Sequence, residues 1–294
     1  MRRLLTLVVL GLIVLTACSQ PQEQWTQAEP LGQVADSGFR VVPNGFNFTN
    51  FTASPNGVKL EDQDVRELLG PEACDGVQEP LCDLAPRANA FRSDSQGLAG
   101  GGVCEGLSVL SLMFYTKQRD PREFGGENAF ELSLPDNPKL DRAILRWNAT
   151  QLTDEVVGSL IREKPTAILD RLAQAWRTGD EDYTLGLYNV KDGKLTNGHA
   201  VVPYRIDHVG DGMVRLYIYN SNAPGGENEY IEIDTNTETW HYRGINVFYD
   251  GSAELELAPL SARMQESFAP KILDDFRGSA RGAHVHCFGR DSQD

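Results

Sequence analysis

The sequence predicts an α+β protein in which a helical half precedes an antiparallel β half. Up to residue 177, the apolar residues fall into several short segments with helical spacing. From residue 183 onward they alternate as in strands, and short turns rich in glycine and asparagine separate the segments. A run of helices followed by a run of strands favours an α+β architecture.

Composition narrows the possible functions. The chain has 294 residues, of which 40% are hydrophobic, so it is long enough to bury a sizeable core. Its formal net charge of −15 argues against a nucleic-acid partner, because binding to phosphates requires a basic surface. The sequence contains only five cysteines and five histidines, so any site built from these residues has few possible members.

Residues 1–17 have the features of a targeting segment. Arg2 and Arg3 precede an apolar run that is too short to span a bilayer comfortably. The ending Leu15-Thr-Ala-Cys18 resembles the lipobox of bacterial lipoproteins. That resemblance implies cleavage before Cys18, acylation of Cys18, and a lipid-anchored protein of the bacterial cell envelope outside the cytoplasm. The alternative is an ordinary cleaved secretory signal.

The next two segments are predicted to lead up to the main domain. Residues 18–37 are polar and lack periodicity, which predicts a flexible tether. Residues 38–90 are predicted to form an N-terminal extension, with aromatic residues that pack on the domain. Within it, the spacing of Cys74 and Cys82 favours a small disulfide loop in an oxidising compartment. Half of a zinc site, completed from residues 284–287, is the alternative.

Periodicity and breaker residues place the individual elements. Helices are predicted over residues 61–69, 139–147, 154–162 and 165–177. Strands are predicted over residues 183–190, 199–206, 213–220, 229–234 and 238–242.

Cys104 occupies the most informative position of the chain. It follows three consecutive glycines and begins an apolar run that extends to residue 115, which predicts a buried helix. A thiol at a helix N-terminus lies at the positive end of the helix dipole, and this favours the thiolate. A buried structural cysteine is the alternative interpretation.

The β half provides a base and a residue to orient it. His199 begins one predicted strand, and Asn220 ends the next. If the intervening hairpin turns at residues 209–212, the two side chains come to lie beside each other. A thiolate, an imidazole that exchanges the proton, and a polar group that orients the imidazole form a nucleophilic site.

The order Cys104, His199, Asn220, with the cysteine in a helical half and the others in a β half, resembles the papain-like cysteine peptidase superfamily. Gly198-His199-Ala-Val-Val is most similar to its bacteriocin-processing branch. The resemblance implies a papain-like catalytic domain over residues 91–262, with Cys104 as nucleophile, His199 as base and Asn220 as the orienting residue.

The predicted oxyanion site departs from that family. Papain-like enzymes carry a glutamine six residues before the cysteine, where this chain has Leu98. Gln96 lies eight residues before Cys104 and is the candidate to replace it. The backbone N–H of Cys104 is the other expected donor.

The tail, residues 263–294, contains His284, His286 and Cys287. Without clear third and fourth ligands, we predict no metal there and no cofactor elsewhere. A disulfide between Cys287 and Cys104 would remove the proposed nucleophile, so the state of Cys104 is a test of the hypothesis.

The sequence therefore predicts a thiol-dependent hydrolase of the cell envelope that acts on a peptide, protein or peptidoglycan substrate. Two alternatives are a peptidoglycan amidase or endopeptidase, and a lipoprotein that keeps the fold as a binding or scaffolding module without turnover.

Overall fold

The computed structural model describes residues 32–75, 82–191, 194–244, 247–250 and 255–270. The predicted signal segment with Cys18, most of the predicted tether, and the tail residues His284, His286 and Cys287 lie outside the described residues. Helices and an antiparallel sheet make up the described chain, so the predicted α+β class is confirmed.

The helical half contains all the helices predicted from the sequence, together with α1 and α3, which were not predicted. The helices are α1 (Val41–Asn44), α2 (Asp62–Leu69), α3 (Pro86–Ala99), α4 (Cys104–Tyr115), α5 (Pro138–Ala149), α6 (Asp154–Ser159) and α7 (Pro165–Thr178). Helix α6 is shorter than predicted. Its expected last turn is instead a strand, because residues 161–163 find backbone partners on a neighbouring strand at residues 255–257.

The β half is one antiparallel sheet. Its strands are β1 (Gly32–Asp36), β2 (Ile161–Glu163), β3 (Tyr183–Lys191), β4 (Lys194–Gly210), β5 (Met213–Tyr219), β6 (Tyr230–Asp234), β7 (Thr239–Gly244), β8 (Val247–Asp250) and β9 (Leu255–Pro259). The order is β2-β9-β3-β4-β5-β6-β7-β8, and β1 pairs with β4 beside this path.

Strand β4 joins the two parts of the sheet. Its first half pairs with β3, and its second half pairs with β5 through a hairpin whose last pair is Gly210 and Met213. Val202 lies opposite Tyr219, and the register shifts between Pro203 and Arg205. The predicted hairpin is thus confirmed, and it brings the start of β4 toward the residue that follows β5.

Two predicted boundaries need correction. Residues 32–36 belong to β1 rather than to a flexible tether, because their backbone pairs with residues 205–208 of β4 and buries Ala35. Residues 38–90 are not separable from the domain predicted to begin at residue 91. Phe46 and Val65 share one apolar core with Leu107 of α4, and α3 crosses the expected boundary.

Helix α4 lies between the two halves, and it is buried from Cys104 to Phe114. Leu107 and Leu110 pack in the core of the helical half. Val109 and Met113 pack against aromatic residues of the sheet. Burial on both sides explains why this helix is apolar around its whole circumference.

Two further observations concern the N-terminal part of the fold. The predicted disulfide between Cys74 and Cys82 is present. In the part of the chain that the structure describes, no single helix has the length and apolar character to cross a membrane; α3 and α4 pass that test only as a pair bent by 95°.

Candidate functional site

Cys104 lies where the helical half meets the sheet. It is the first residue of α4, and the first helical hydrogen bond joins the Leu107 N–H to the Val103 carbonyl. Its side chain is fully buried, and the backbone N–H of Ala200, on β4, donates to its Sγ over 3.2 Å. The sulfur therefore contacts the residue that directly follows His199 in the chain.

His199 and Asn220 are brought together as the hairpin register predicted. His199 lies on β4, opposite Leu187 of β3, and Asn220 follows the last residue of β5. The His199 Nε2 atom is 2.7 Å from the Asn220 Oδ1 atom, and both residues are buried. The pair thus has the hydrogen bond that an orienting residue would make to a catalytic imidazole.

Asn220 is itself held by groups that the sequence did not single out. Its Nδ2 donates to the Tyr242 hydroxyl over 2.6 Å, and that hydroxyl donates to a Glu229 carboxylate oxygen. The backbone N–H of Asn222 also donates to the Asn220 Oδ1, over 2.9 Å. Glu229 precedes β6 and Tyr242 lies on β7, so both groups come from segments that the hairpin between β4 and β5 does not place.

Cys104 is disulfide-bonded in this structure, and its partner is not among the described residues. Cys74 and Cys82 pair with each other, so neither is that partner. The hypothesis of a nucleophilic Cys104 requires a free thiol, and this form of the protein does not have one. A sulfur in a disulfide cannot act as a thiolate.

The candidate oxyanion residue Gln96 is not directed to this junction. Gln96 was expected to take the place of the missing glutamine, but α3 continues through Gln96 to Ala99. Gln96 is exposed on that helix, and its Nε2 donates to the Leu60 carbonyl over 3.0 Å. We therefore correct that expectation.

Asn50, which the sequence did not single out, contacts both sides of the junction. Its Oδ1 accepts from the Val103 N–H over 2.8 Å, next to Cys104. Its backbone N–H donates to the Ser221 carbonyl over 2.9 Å, next to Asn220. The N-terminal extension thus ties the start of α4 to the loop after β5.

A buried ion pair lies beside Cys104. The Glu105 carboxylate contacts the Arg263 guanidinium, and Thr184 donates to Glu105 over 3.0 Å. Burial lowers the pKa of Arg263, and the adjacent Glu105 carboxylate opposes that shift. Because Glu105 is paired, its charge is compensated rather than left to disfavour a neighbouring thiolate.

Over the described residues, no group of three or more histidine, cysteine, aspartate or glutamate residues is arranged to hold a metal ion.

The fold and the site together define an α+β protein with cysteine, histidine and asparagine at the junction of its two halves. No protein-family model, no curated protein and no solved structure matches the chain. What the protein does must therefore be argued from the geometry of this junction.

Proposed function

We propose that this protein is a thiol-dependent hydrolase of peptide or amide bonds, with a papain-like arrangement of its site. Cys104 acts as nucleophile, His199 as base and Asn220 as the residue that orients the imidazole. The observation that carries the proposal is the 2.7 Å hydrogen bond between His199 and Asn220. The next residue after His199 is Ala200, whose backbone N–H contacts the Cys104 Sγ.

The chemistry follows from these groups. The Cys104 thiolate attacks the carbonyl carbon, and the negative charge moves to the carbonyl oxygen. The backbone N–H of Cys104, at the start of α4, stabilises that oxyanion. The His199 imidazolium then protonates the leaving amine, which departs and leaves a thioester. His199 next removes a proton from water, and the hydroxide releases the acid and the Cys104 thiolate.

The proposal concerns the reduced protein. A disulfide at Cys104 keeps the protein latent, and exchange with a thiol reductant frees the nucleophile. A cysteine that serves only in a structural disulfide does not need a hydrogen-bonded pair of histidine and asparagine beside it. The buried His199–Asn220 pair is therefore the reason to favour hydrolysis over a purely structural cysteine.

The alkylation rate of Cys104 tests the proposal. The reduced protein is treated with iodoacetamide from pH 4 to pH 9, beside His199→Ala, and peptide mapping isolates the Cys104 signal. We expect rapid labelling well below the ordinary thiol pKa of about 8.5, lost in His199→Ala. Protein that has not been reduced should label only after reductant is added. Labelling that rises only near that ordinary pKa would contradict the proposal.

Substrate class is decided by a second assay. The reduced protein is incubated with casein and, separately, with purified peptidoglycan, with Cys104→Ala as the control. Cleavage of casein supports a peptidase. Release of muropeptides supports the amidase or endopeptidase alternative.

The second candidate function is a binding or scaffolding module without turnover. The disulfide state and complete burial of Cys104 favour it, because a structural cysteine needs neither reduction nor access. Full biological activity of a Cys104→Ala variant would support this candidate and exclude hydrolysis by this residue.

We also propose that the protein is anchored by lipid at Cys18 on the outer side of a bacterial membrane. The apolar run and the Leu15-Thr-Ala-Cys18 ending support this. Partition of the wild-type chain into a detergent phase, and of Cys18→Ala into the aqueous phase, is the expected result. Equal partition of the two would contradict the anchor.

A further inference from the structure

A continuous chain of hydrogen bonds runs from a carboxylate to the His199 imidazole. Glu229 accepts from the Tyr242 hydroxyl, and that hydroxyl accepts from the Asn220 Nδ2 over 2.6 Å. The Asn220 Oδ1 lies 2.7 Å from His199 Nε2. Tyr242 is 1% exposed, so its hydroxyl is withdrawn from competing water.

The polarity of this chain follows from the chemistry of its two ends. An ionised carboxylate only accepts, so the Tyr242 hydroxyl must use its single proton toward Glu229. The hydroxyl then has only lone pairs to offer Asn220, which places the amide NH₂ toward Tyr242. The amide oxygen is left facing His199.

A second contact favours the same orientation. The backbone N–H of Asn222 donates to the Asn220 Oδ1 over 2.9 Å, and a backbone N–H cannot accept. Rotation of the amide by 180° would set its NH₂ group against this N–H, donor against donor. The oxygen therefore faces His199, and Nε2 must carry a proton in order to donate to it.

We propose that Glu229 and Tyr242 are positioning residues that fix the tautomer of His199. Through Asn220 they hold the proton on Nε2, so Nδ1 is the basic nitrogen of the neutral ring. The mechanistic value of this assignment rests on the proposed hydrolase function. The assignment of the tautomer stands on the hydrogen bonds alone.

The tautomer is read directly by long-range proton–nitrogen NMR of the full chain labelled with ¹⁵N-histidine. His199 is assigned by the signal lost in His199→Gln. We expect the wild-type protein at neutral pH to show the Nε2–H form. In Tyr242→Phe the ratio of Nε2–H to Nδ1–H should fall about tenfold, as expected for loss of one buried hydrogen bond.

The chain offers a matched control. The Tyr188 hydroxyl also donates to a glutamate, Glu256, over 2.9 Å. Tyr188→Phe therefore removes the same kind of bond from the same sheet, and it should leave the His199 tautomer unchanged. A shift of equal size in both variants would mean general loosening of the sheet and would overturn the proposal.

A second pair of variants keeps the test valid if Tyr242→Phe fails to fold. Glu229→Gln retains a side-chain oxygen that accepts from Tyr242, so it should keep the Nε2–H form. Glu229→Ala removes the acceptor and should shift the tautomer. A wild-type spectrum with the proton on Nδ1, or an unchanged ratio in both Tyr242→Phe and Glu229→Ala, would overturn the proposal.

Kinetics separate this proposal from the proposed function. If the reduced protein hydrolyses casein, Tyr242→Phe should lower kcat about tenfold with little change in KM, and Glu229→Gln should restore most of the wild-type kcat. If no hydrolysis occurs but the tautomer follows the variants as expected, the positioning role stands and the hydrolase proposal fails.

Discussion

Glu105 and Arg263 form an ion pair in which both side chains are completely buried. Glu105 is the second residue of α4, and Arg263 follows the last strand, β9. The pair therefore fastens the segment that follows β9 to the helix start that carries Cys104. Thr184 of β3 adds a hydrogen bond to the same carboxylate.

Removing one member of the Glu105–Arg263 pair should lower the stability of the fold. Arg263→Met leaves the Glu105 carboxylate buried without its counter-charge, and we expect the free energy of unfolding to fall by about 3–5 kcal/mol. Urea denaturation measures the change. The double variant Glu105→Leu/Arg263→Met should recover most of the loss, since no unpaired charge remains.

An exposed pair provides the comparison. Arg122 and Asp120 form an ion pair with 67% and 44% of their side chains exposed. Arg122→Ala should leave the free energy of unfolding nearly unchanged, because solvent screens an exposed pair. Equal effects of Arg122→Ala and Arg263→Met would show that burial does not set the strength of the Glu105–Arg263 pair.

Loss of the Asn220 side chain should impair hydrolysis. Asn220→Ala removes the hydrogen bond to His199 Nε2, and we expect kcat/KM of the reduced protein to fall about 100-fold, within the range for acid–base groups. Asn222→Ala is the control, because Asn222 reaches Asn220 through its backbone N–H. A similar loss in both variants would point to damage of the loop instead.

Two helical glycines should respond to alanine with opposite signs. A Cβ at Gly106 would lie 2.2 Å from the Ile144 carbonyl oxygen, so Gly106→Ala must separate α4 from α5 and should lower the melting temperature. Gly97 of α3 has open space at that position. Gly97→Ala should stabilise the protein by about 0.5–1 kcal/mol. Thermal unfolding of both variants decides the point.

Asp182 should make stability depend on pH. Burial, followed by the charge of Glu181, raises the pKa of Asp182 above its ordinary value of 3.8. The folded state therefore holds this proton more tightly than the unfolded state. Stability should rise as pH falls through the raised pKa, and at neutral pH the ionised carboxylate is a destabilising contribution.

Asp182→Asn tests that assignment. We expect the melting temperature at pH 7 to rise by about 2 °C or less, and the difference from wild type to disappear below the ordinary pKa of 3.8. Asp180→Asn, at an exposed position of the same loop, should show a smaller change at either pH. A lower melting temperature of Asp182→Asn at pH 7 would contradict the stated sign.

Local signals in the sequence were enough for most of the elements. Pro165 and Gly179 mark the two ends of α7, and the glycines before Cys104 mark the start of α4. The turn between β4 and β5 was sufficient to predict that Asn220 lies beside His199, because one hairpin fixes the register of both strands.

Contacts distant in sequence decided what those signals did not. The residues of β1 were predicted to be a tether because they form a strand only by pairing with β4, about 170 residues later in the chain. Gln96 was expected to reach Cys104 because no local sequence signal showed that α3 extends through it. Nor did any local signal show that the Gln96 side-chain amide donates to the Leu60 carbonyl.

The sequence by itself determined the α+β class, the helix that begins at Cys104, and the approach of Asn220 to His199, since periodicity, breakers and one hairpin encode them locally. The tertiary structure alone decided that Asn50 joins the two sides of the junction, that Arg263 neutralises Glu105, and that Tyr242 and Glu229 orient Asn220. These groups come from separate segments, and only the packing of the helical half on the sheet brings their polar atoms within hydrogen-bond distance.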